Sequence, residues 1–505
     1  MNNASSLFAI MPLLIVMGTG MFVLLMDSCI ELWRKAKFLS PSASILGLVI
    51  AAGYAMNLMD AGGDRTAFNG AIKADAFAQS CGLILIITAI LAILLATTYL
   101  ENKKLQLGEY YALVLFSTSG AMLMAAANDL IVLFVAIEIL SVALYVLAGF
   151  ARTEERSEEA ALKYFLLGAF AAGFLLYGIA LIYGGSAGAV ANATTGVAGG
   201  TTNLTLLAAF LKEGTPPSAL LISGLALLTV GLAFKAALVP FHMWTPDVYE
   251  GAPTSVTAYM AAGAKTGAFA AILRVFTAFV PIAEYWLIAI QVLAVATMFV
   301  GNILAVTQDN VKRMLAYSSI AHAGYLMVAI SASAGGAEAH ETAVRGIIFY
   351  LLAYSVMTMG AFGVLIWLSR RGRDIQTLND LKGLTRSHPA AAYTMLVFML
   401  SLGGIPPTMG FMGKAFIFYA TVQAGQVWLA IALALISAVS IYYYLRIVWM
   451  MCFSEPDDTA VPRTAVAAGG VFMSVAASVV ASLLFGIAPN LIGPLMDAAK
   501  TMLRP

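Results

Sequence analysis

Residues 231–267 read GLAFKAALVPFHMWTPDVYEGAPTSVTAYMAAGAKTG, and they set Lys235 and Lys265 inside stretches otherwise apolar enough to cross a membrane. A lysine near the bilayer centre costs about 2.5–3.5 kcal/mol on insertion scales, so it persists where it faces a protein interior or a water-filled path. Between the two lysines Pro240 lacks a backbone donor and clashes with the preceding turn, and the Trp244-Thr-Pro246-Asp247 and Gly251-Ala-Pro253 breaks follow it. The segment reads as a broken helix with a charge at its break.

The surrounding chain is of the same kind. Its 505 residues are 61% hydrophobic and 10% charged, with mean hydropathy +0.91. A span needs roughly 20 apolar residues, and such runs recur throughout, which defines an all-α polytopic membrane protein. The period-2 alternation of a barrel is not seen. With a net charge of +1 and no basic block, a nucleic-acid partner is excluded. Cys29, Cys81 and Cys452 are widely scattered and form no CxxC pair, so they read as small buried hydrophobes and not as disulfide, zinc or iron–sulfur ligands. His340-Glu341 lacks the second histidine of HExxH, and there is no P-loop or dinucleotide fingerprint. The uncharged N-terminus before the run from Leu7 to Met26 reads as a retained first helix.

Apolar runs fall near 7–27, 39–59, 79–100, 109–127, 129–150, 161–184, 218–242, 254–279, 285–307, 311–331, 343–369, 389–424, 426–452 and 466–495, about fourteen spans. The twelfth is too long for one straight helix, and Gly403-Gly404-Ile-Pro406-Pro407 must interrupt it. Helices 7 and 12 are therefore both discontinuous, and each carries a lysine, Lys235 and Lys414. Loops after odd-numbered spans hold Arg34, Lys35, Lys37, Lys103, Lys104, Arg152, Arg156, Lys312, Arg313, Arg370, Arg371, Arg373, Lys382 and Arg386, against Arg65, Lys73 and Lys212 after even ones. The positive-inside rule then places the odd-span loops in the cytoplasm and both termini outside. The Gly/Ala/Thr-rich stretch 185–217 reads as a flexible outer loop.

Glu138 sits near the middle of the fifth span, in LFVAIEILSVALYVL, with Lys235 and Lys265 as candidate partners. An ion pair that merely fixes packing is the competing reading for Glu138 and Lys235, and snorkelling is the competing reading for Lys414. His322 lies near the middle of the tenth span, and its imidazole is either a proton carrier or a packed hydrogen-bonding group. Lys163 opens the sixth span as an anchor or an inlet, and His242 stands beside Pro240. The fifth and seventh spans, with Glu138 and Lys235, lie five spans before the tenth and twelfth, with His322 and Lys414. An odd offset inverts orientation, so spans 4–8 and 9–13 are expected to form two inverted five-helix repeats. The corresponding divisions are 1–108 for the first three helices, 109–280 and 281–453 for the repeats, and 454–505 for the last helix.

Four segments carry a resemblance: FKAALVPFHMWTPDVYEGAPT (234–254), AKTGAFAAILRVF (264–276), GNILAVTQDNVKRMLAYSSIAHAGYL (301–326) and LGGIPPTMGFMGKAF (402–416). Together they resemble the subunit N family of the bacterial proton-pumping NADH:quinone oxidoreductase, respiratory complex I. The related antiporter-like subunits M and L and the multi-subunit sodium/proton antiporters are next of kin. The WTPDVYEGAP form and a lysine at 414 favour N over M. The resemblance implies that Glu138 pairs with Lys235 and controls its proton affinity, that Lys265 is the central relay, and that Lys414 passes the proton outward. It places His322 at a polar connecting position and Lys163 on the inner route. It also implies that FMN, iron–sulfur clusters and most of the quinone site belong to other subunits, and that this chain holds no cofactor or metal. Expected partners are subunit M, the small subunits J and K, and the lateral helix of subunit L, in the bacterial inner membrane.

The function so implied is proton translocation from cytoplasm to outside, coupled to quinone reduction elsewhere in the complex. One alternative is a subunit of a sodium/proton antiporter, which would need oxygen ligands for the cation where only Glu138 and scattered Ser and Thr are at hand. A purely structural membrane subunit is the other. The inlet, through Lys163 or His242, is open at this level.

Overall fold

The computed structural model describes residues 3–31, 33, 36–60, 65–191, 198–214, 216–369, 374–455 and 469–502. Of the loop charges above, Arg34, Lys35, Arg370, Arg371 and Arg373 lie outside the described residues, as does part of the stretch 185–217.

Among the described residues the apolar runs of the sequence are helical apart from the two breaks, because in lipid every backbone donor and acceptor must find its partner within the protein. Side-chain caps mark many of the starts. Asp75 accepts from the Ala78 N–H ahead of helix Ala76–Lys103, Asp129 from the Ile131 N–H ahead of Leu130–Ala148, and Asn310 from the Arg313 N–H ahead of Val311–Ala332. Among the described residues, twelve helices are long and apolar enough to span a membrane. The count differs from the fourteen runs for two reasons. Helix Gly108–Ala126 carries Ser117-Thr118-Ser119, which lowers its hydropathy and which it buries against its neighbours. The twelfth run is two half-helices, Pro389–Gly403 and Met409–Gln423, of 15 residues each.

Helices Thr254–Ala278 and Val311–Ala332 are 100% buried across their apolar windows and Ala337–Leu368 is 94% buried, against 33% for Leu39–Asp60, so these three form the central shaft. The peripheral helices turn large side chains such as Phe170, Ile288 and Leu435 outward. Small residues bring backbones together: a Cβ on Gly178 would stand 2.5 Å from the Leu228 nitrogen, so helices Glu155–Gly185 and Ala219–Ala236 touch at that point through glycine. Arg274 and Asp75 form a buried bidentate pair, with contacts of 2.6 and 3.0 Å, that ties the end of the central helix to the start of Ala76–Lys103.

Two expectations need correction. The stretch 185–217 is not simply a flexible loop, because Asn203 caps an amphipathic helix, Leu204–Lys212, that buries Leu204, Leu207 and Leu211. Glycine and threonine content concealed a three-leucine face too short to dominate the composition. Cys81 is a buried apolar group, but Cys29 is exposed at a helix end. All three cysteines are free thiols.

Candidate functional site

Helix Ala219–Ala236 stops at Ala237, whose φ of 60° is left-handed. The cause lies further on: Pro240 has no N–H to offer the Ala236 carbonyl. The Phe234 carbonyl in the last turn accepts from the Ala237 N–H at 3.1 Å and from the Trp244 indole N–H at 3.0 Å. Lys235, 5% exposed, therefore sits in the last turn, where the open carbonyls of a helix C-terminus favour a cation. Its ammonium donates to Ser141 Oγ at 2.7 Å and lies 5.4 Å from the Tyr164 ring and 5.8 Å from the Tyr145 ring. Glu138 precedes Ser141 by one helical turn, and Glu138, Ser141, Tyr145 and Lys235 line one small cavity. No ion pair within 4 Å joins Glu138 to Lys235 among the described residues; the serine hydroxyl occupies the ammonium instead.

Lys265 follows a π-helical turn, Met260–Ala264, which widens the central helix and loosens its hydrogen-bond ladder. It is 2% exposed, donates to the Ser319 carbonyl, and lies 5.4 Å from the Tyr354 ring. Of the two partners the sequence leaves open for Glu138, Lys235 is the near one and Lys265 faces Ser319. One turn beyond Ser319, His322 meets Tyr350 Oη at Nδ1, 2.7 Å, and Tyr444 Oη at Nε2, 3.0 Å. Tyr444 also contacts Ser318, while Tyr443, Asn302 and Tyr325 form a parallel chain with steps of 3.1 and 3.2 Å. The Tyr325 ring lies 5.1 Å from the Lys414 ammonium.

Lys414 is 8% exposed and does not snorkel. It reaches back across the second break to the Leu402 and Gly403 carbonyls, at 3.2 and 2.9 Å, which the end of Pro389–Gly403 leaves without helical partners. Gly404 makes that approach feasible: its φ is 81°, and a Cβ there would stand 2.8 Å from Lys414 Cδ.

Lys163 is not with the buried lysines. Its side chain is 43% exposed and pairs with Glu159 at 2.7 Å and Asp247 at 2.9 Å. Arg313 bridges Asp247 and Glu250 at 2.7 and 3.0 Å, and Arg156 reaches Glu250 at 3.7 Å. These groups line a cavity of about 230 Å³ that His242 does not touch. Buried Lys312 fastens the same helix, Trp244–Gly251, by donating to the Glu250 and Ala252 carbonyls at 2.9 and 2.6 Å. Burial pushes the Asp247 carboxyl up, but the hydrogen bonds from Lys163 and Arg313 outweigh it and hold the group below its usual range. A carboxylate held low contributes to packing above its ordinary pKa of about 3.9 and loses that contribution as pH falls through the lowered value. Hydrogen-exchange protection of Trp244–Gly251 is therefore expected to stay level through the neutral range and to drop only in strong acid. A decline already near pH 6 would contradict this role for Asp247.

Ser141, Tyr350, Tyr444, Asp247 and Arg313 are the residues that sequence reading missed. Tyrosines and serines in apolar runs carry no signal of their own, and Asp247 and Arg313 read as turn and loop charges. Among the described residues no group of three or more His, Cys, Asp or Glu could hold a metal.

The family described as "NADH:quinone oxidoreductase/Mrp antiporter, TM" matches residues 127–440, which include every buried charge just described. The fold and this row of buried lysines define an antiporter-like membrane subunit. The NADH-quinone oxidoreductase subunit N of Trichlorobacter lovleyi is 43% identical over 96% of this chain and 95% of its own length. A chain of respiratory complex I from Thermus thermophilus with bound aureothin superposes with a TM-score of 0.77 at 34% identity, covering 96% of this chain and 99% of that one. A chain of the Mrp complex from Dietzia sp. DQ12-45-1b shares the fold, with a TM-score of 0.78 at 22% identity over 100% of this chain and 98% of that one. The chain belongs to the subunit N family of NADH-quinone oxidoreductase, respiratory complex I. It is thus a multi-span membrane subunit of an enzyme complex that assembles with other membrane subunits, in a family to which proton translocation is general.

Proposed function

We propose that this chain carries protons from the cytoplasm to the outer side of the bacterial inner membrane through Lys235, Lys265, His322 and Lys414, with Glu138 setting the affinity of Lys235. The observation that carries the reading is that each lysine rests on a neutral oxygen, a hydroxyl or a carbonyl, and none is locked to a carboxylate. A structural ion pair would hold its charge permanently. A lysine held by neutral acceptors in a dry interior can lose its proton without stranding an anion.

The inlet runs past Lys163 and the Asp247–Arg313 cluster and not past His242, because Lys163 lines a cavity where cytoplasmic water can gather. From there the proton reaches Lys235, whose ammonium exchanges Ser141 for Glu138 when the side chain swings. A neighbouring charge that draws Glu138 away lowers the proton affinity of Lys235, and the proton moves on. The Tyr350–His322–Tyr444 chain joins the Lys265 and Lys414 halves. Spans 4–8 and 9–13 act as two inverted repeats within divisions 109–280 and 281–453, each with one broken helix, and both termini face outward. Subunit M, the small subunits J and K and the lateral helix of subunit L supply the neighbours. Quinone reduction and the FMN and iron–sulfur chemistry lie elsewhere in the complex.

Tyr444→Phe keeps the ring packing and removes the hydroxyl between His322 and Ser318. Proton translocation per electron pair in the assembled complex is expected to fall several-fold, in line with about 1–2 kcal/mol for one buried hydrogen bond. Rates unchanged in both Tyr444→Phe and Tyr350→Phe would remove this connection from the path. Sodium dependence tests the other class of function: pumping in sodium-free buffer, with a protonophore control, is expected to equal that with sodium, and a requirement for added sodium would favour the antiporter.

A further inference from the structure

Two of the cavities above meet helix Glu155–Gly185 on one face. Ala160 lines the one at the Lys163 cluster, and Gly168 lines the one that Glu138, Ser141 and Lys235 share. Residues eight apart keep to one face of a helix and stand about 12 Å apart along its axis. Tyr164 lies midway between them, is 0% exposed and lines neither cavity, which makes its side chain part of the wall that separates the two. That wall is aromatic. The Tyr164 ring stacks on the Trp244 indole at 4.5 Å and 16°, and the Tyr145 ring meets it edge-on at 4.7 Å. A Cβ on Gly251 would stand 2.8 Å from Ala160 Cβ, so helix Trp244–Gly251 lies directly against the same face.

One atom of the wall has an unmet need. Tyr164 Oη is buried with no hydrogen-bond partner among the described residues, while the ring that carries it lies 5.4 Å from the Lys235 ammonium. A buried hydroxyl left unpaired is destabilising, and phenylalanine would fill the same stack without that cost. Trp244 shows the contrast, since its indole N–H is taken by the Phe234 carbonyl. An orphaned hydroxyl of this kind calls for a function beyond packing.

We infer that the Tyr164 hydroxyl passes the proton through this wall, from the Lys163 cavity to Lys235; the inference rests on Lys235 carrying protons. A hydronium on the cavity side gives its proton to Oη as the phenolic hydrogen leaves for the neutral Lys235 amine. One O–H bond forms and one breaks, the hydronium becomes water, the amine becomes an ammonium, and the phenol is neutral before and after. Passage then depends on hydration of a single oxygen. The stacked rings on either side of it resist free exchange between the two cavities, so loading of Lys235 is confined to this one contact.

Tyr164→Phe in the assembled complex, reconstituted into vesicles, separates this role from packing. The variant keeps the stack on Trp244 and the ring beside Lys235 and removes only the hydroxyl. Two results are expected together. The thermal unfolding midpoint of the complex should be unchanged or higher, because an unpaired polar atom has been removed. Proton translocation through this chain should fall about fivefold, the value of one neutral hydrogen bond, with quinone reduction retained. Lys235→Ala serves as the reference. Normal pumping in Tyr164→Phe while Lys235→Ala is inactive would overturn the role of Tyr164 and leave the lysine relay standing. Normal pumping in Lys235→Ala would remove the reading on which the inference rests. A lower unfolding midpoint or failed assembly of Tyr164→Phe would mean that the hydroxyl serves the structure, and would overturn the inference as well.

Discussion

Replacing Lys235 with alanine is expected to stop proton passage through this chain, by at least about tenfold, while leaving the complex assembled. The first half follows from position. Among the described residues Lys235 is the one cation on the cavity that Glu138, Ser141 and Tyr145 line, so alanine removes the amine that takes up and hands on the proton between the Lys163 cluster and Lys265. The second half follows from magnitudes. Alanine forfeits the burial of about three methylenes, at about 0.8 kcal/mol each, and the bond to Ser141. Against this stands relief from burying an ammonium with no carboxylate in contact, an effective penalty of several kcal/mol. The two are comparable, so folding should be nearly neutral. Lys235→Met, which keeps the stem without the charge, refines the test. Both variants should assemble and both should fail to pump. Normal proton-to-electron ratios in either one, with quinone reduction intact, would remove Lys235 from the mechanism.

At the second break, Lys414→Arg and Lys414→Ala should part company. Alanine leaves the Leu402 and Gly403 carbonyls without their donor in a buried site, which costs about 1–3 kcal/mol per group, so the break should loosen and assembly should drop. Arginine still donates to both carbonyls, but a guanidinium does not release its proton in a protein. Lys414→Arg is therefore expected to assemble and reduce quinone while losing proton translocation through this chain. If Lys414→Arg pumped normally, the residue would be a helix cap and nothing more. Gly404→Ala offers an orthogonal disturbance, since the added methyl would meet Lys414 Cδ at 2.8 Å and push the ammonium off its carbonyls.

The sequence carried much of this on its face. Recurring 20-residue apolar runs without period-2 alternation leave helices, and not a closed barrel, as the structure that satisfies the backbone in lipid, and Pro240 and Pro406 announce where two of those helices stop. Glu138, Lys235, Lys265 and Lys414 are conspicuous because a charge within an apolar run is expensive wherever the run folds. Those properties are local, and sequence alone determined them.

Contacts across the fold are another matter, and only the tertiary structure decided them. That Lys235 rests on Ser141 and not directly on Glu138 depends on how two helices distant in sequence are rotated against each other. That His322 lies between Tyr350 and Tyr444 joins three separate helices through side chains that look like ordinary packing in the linear chain. Lys163 shows the same limit from the other side: as a lysine opening an apolar span it reads as an anchor or an inlet, and only the fold shows that it pairs with Asp247, a residue of a distant helix. The stretch 231–267 thus named its charges by itself, but which oxygen each ammonium touches was settled by packing, because hydrogen bonds are directional and short while the chain that supplies their partners is long.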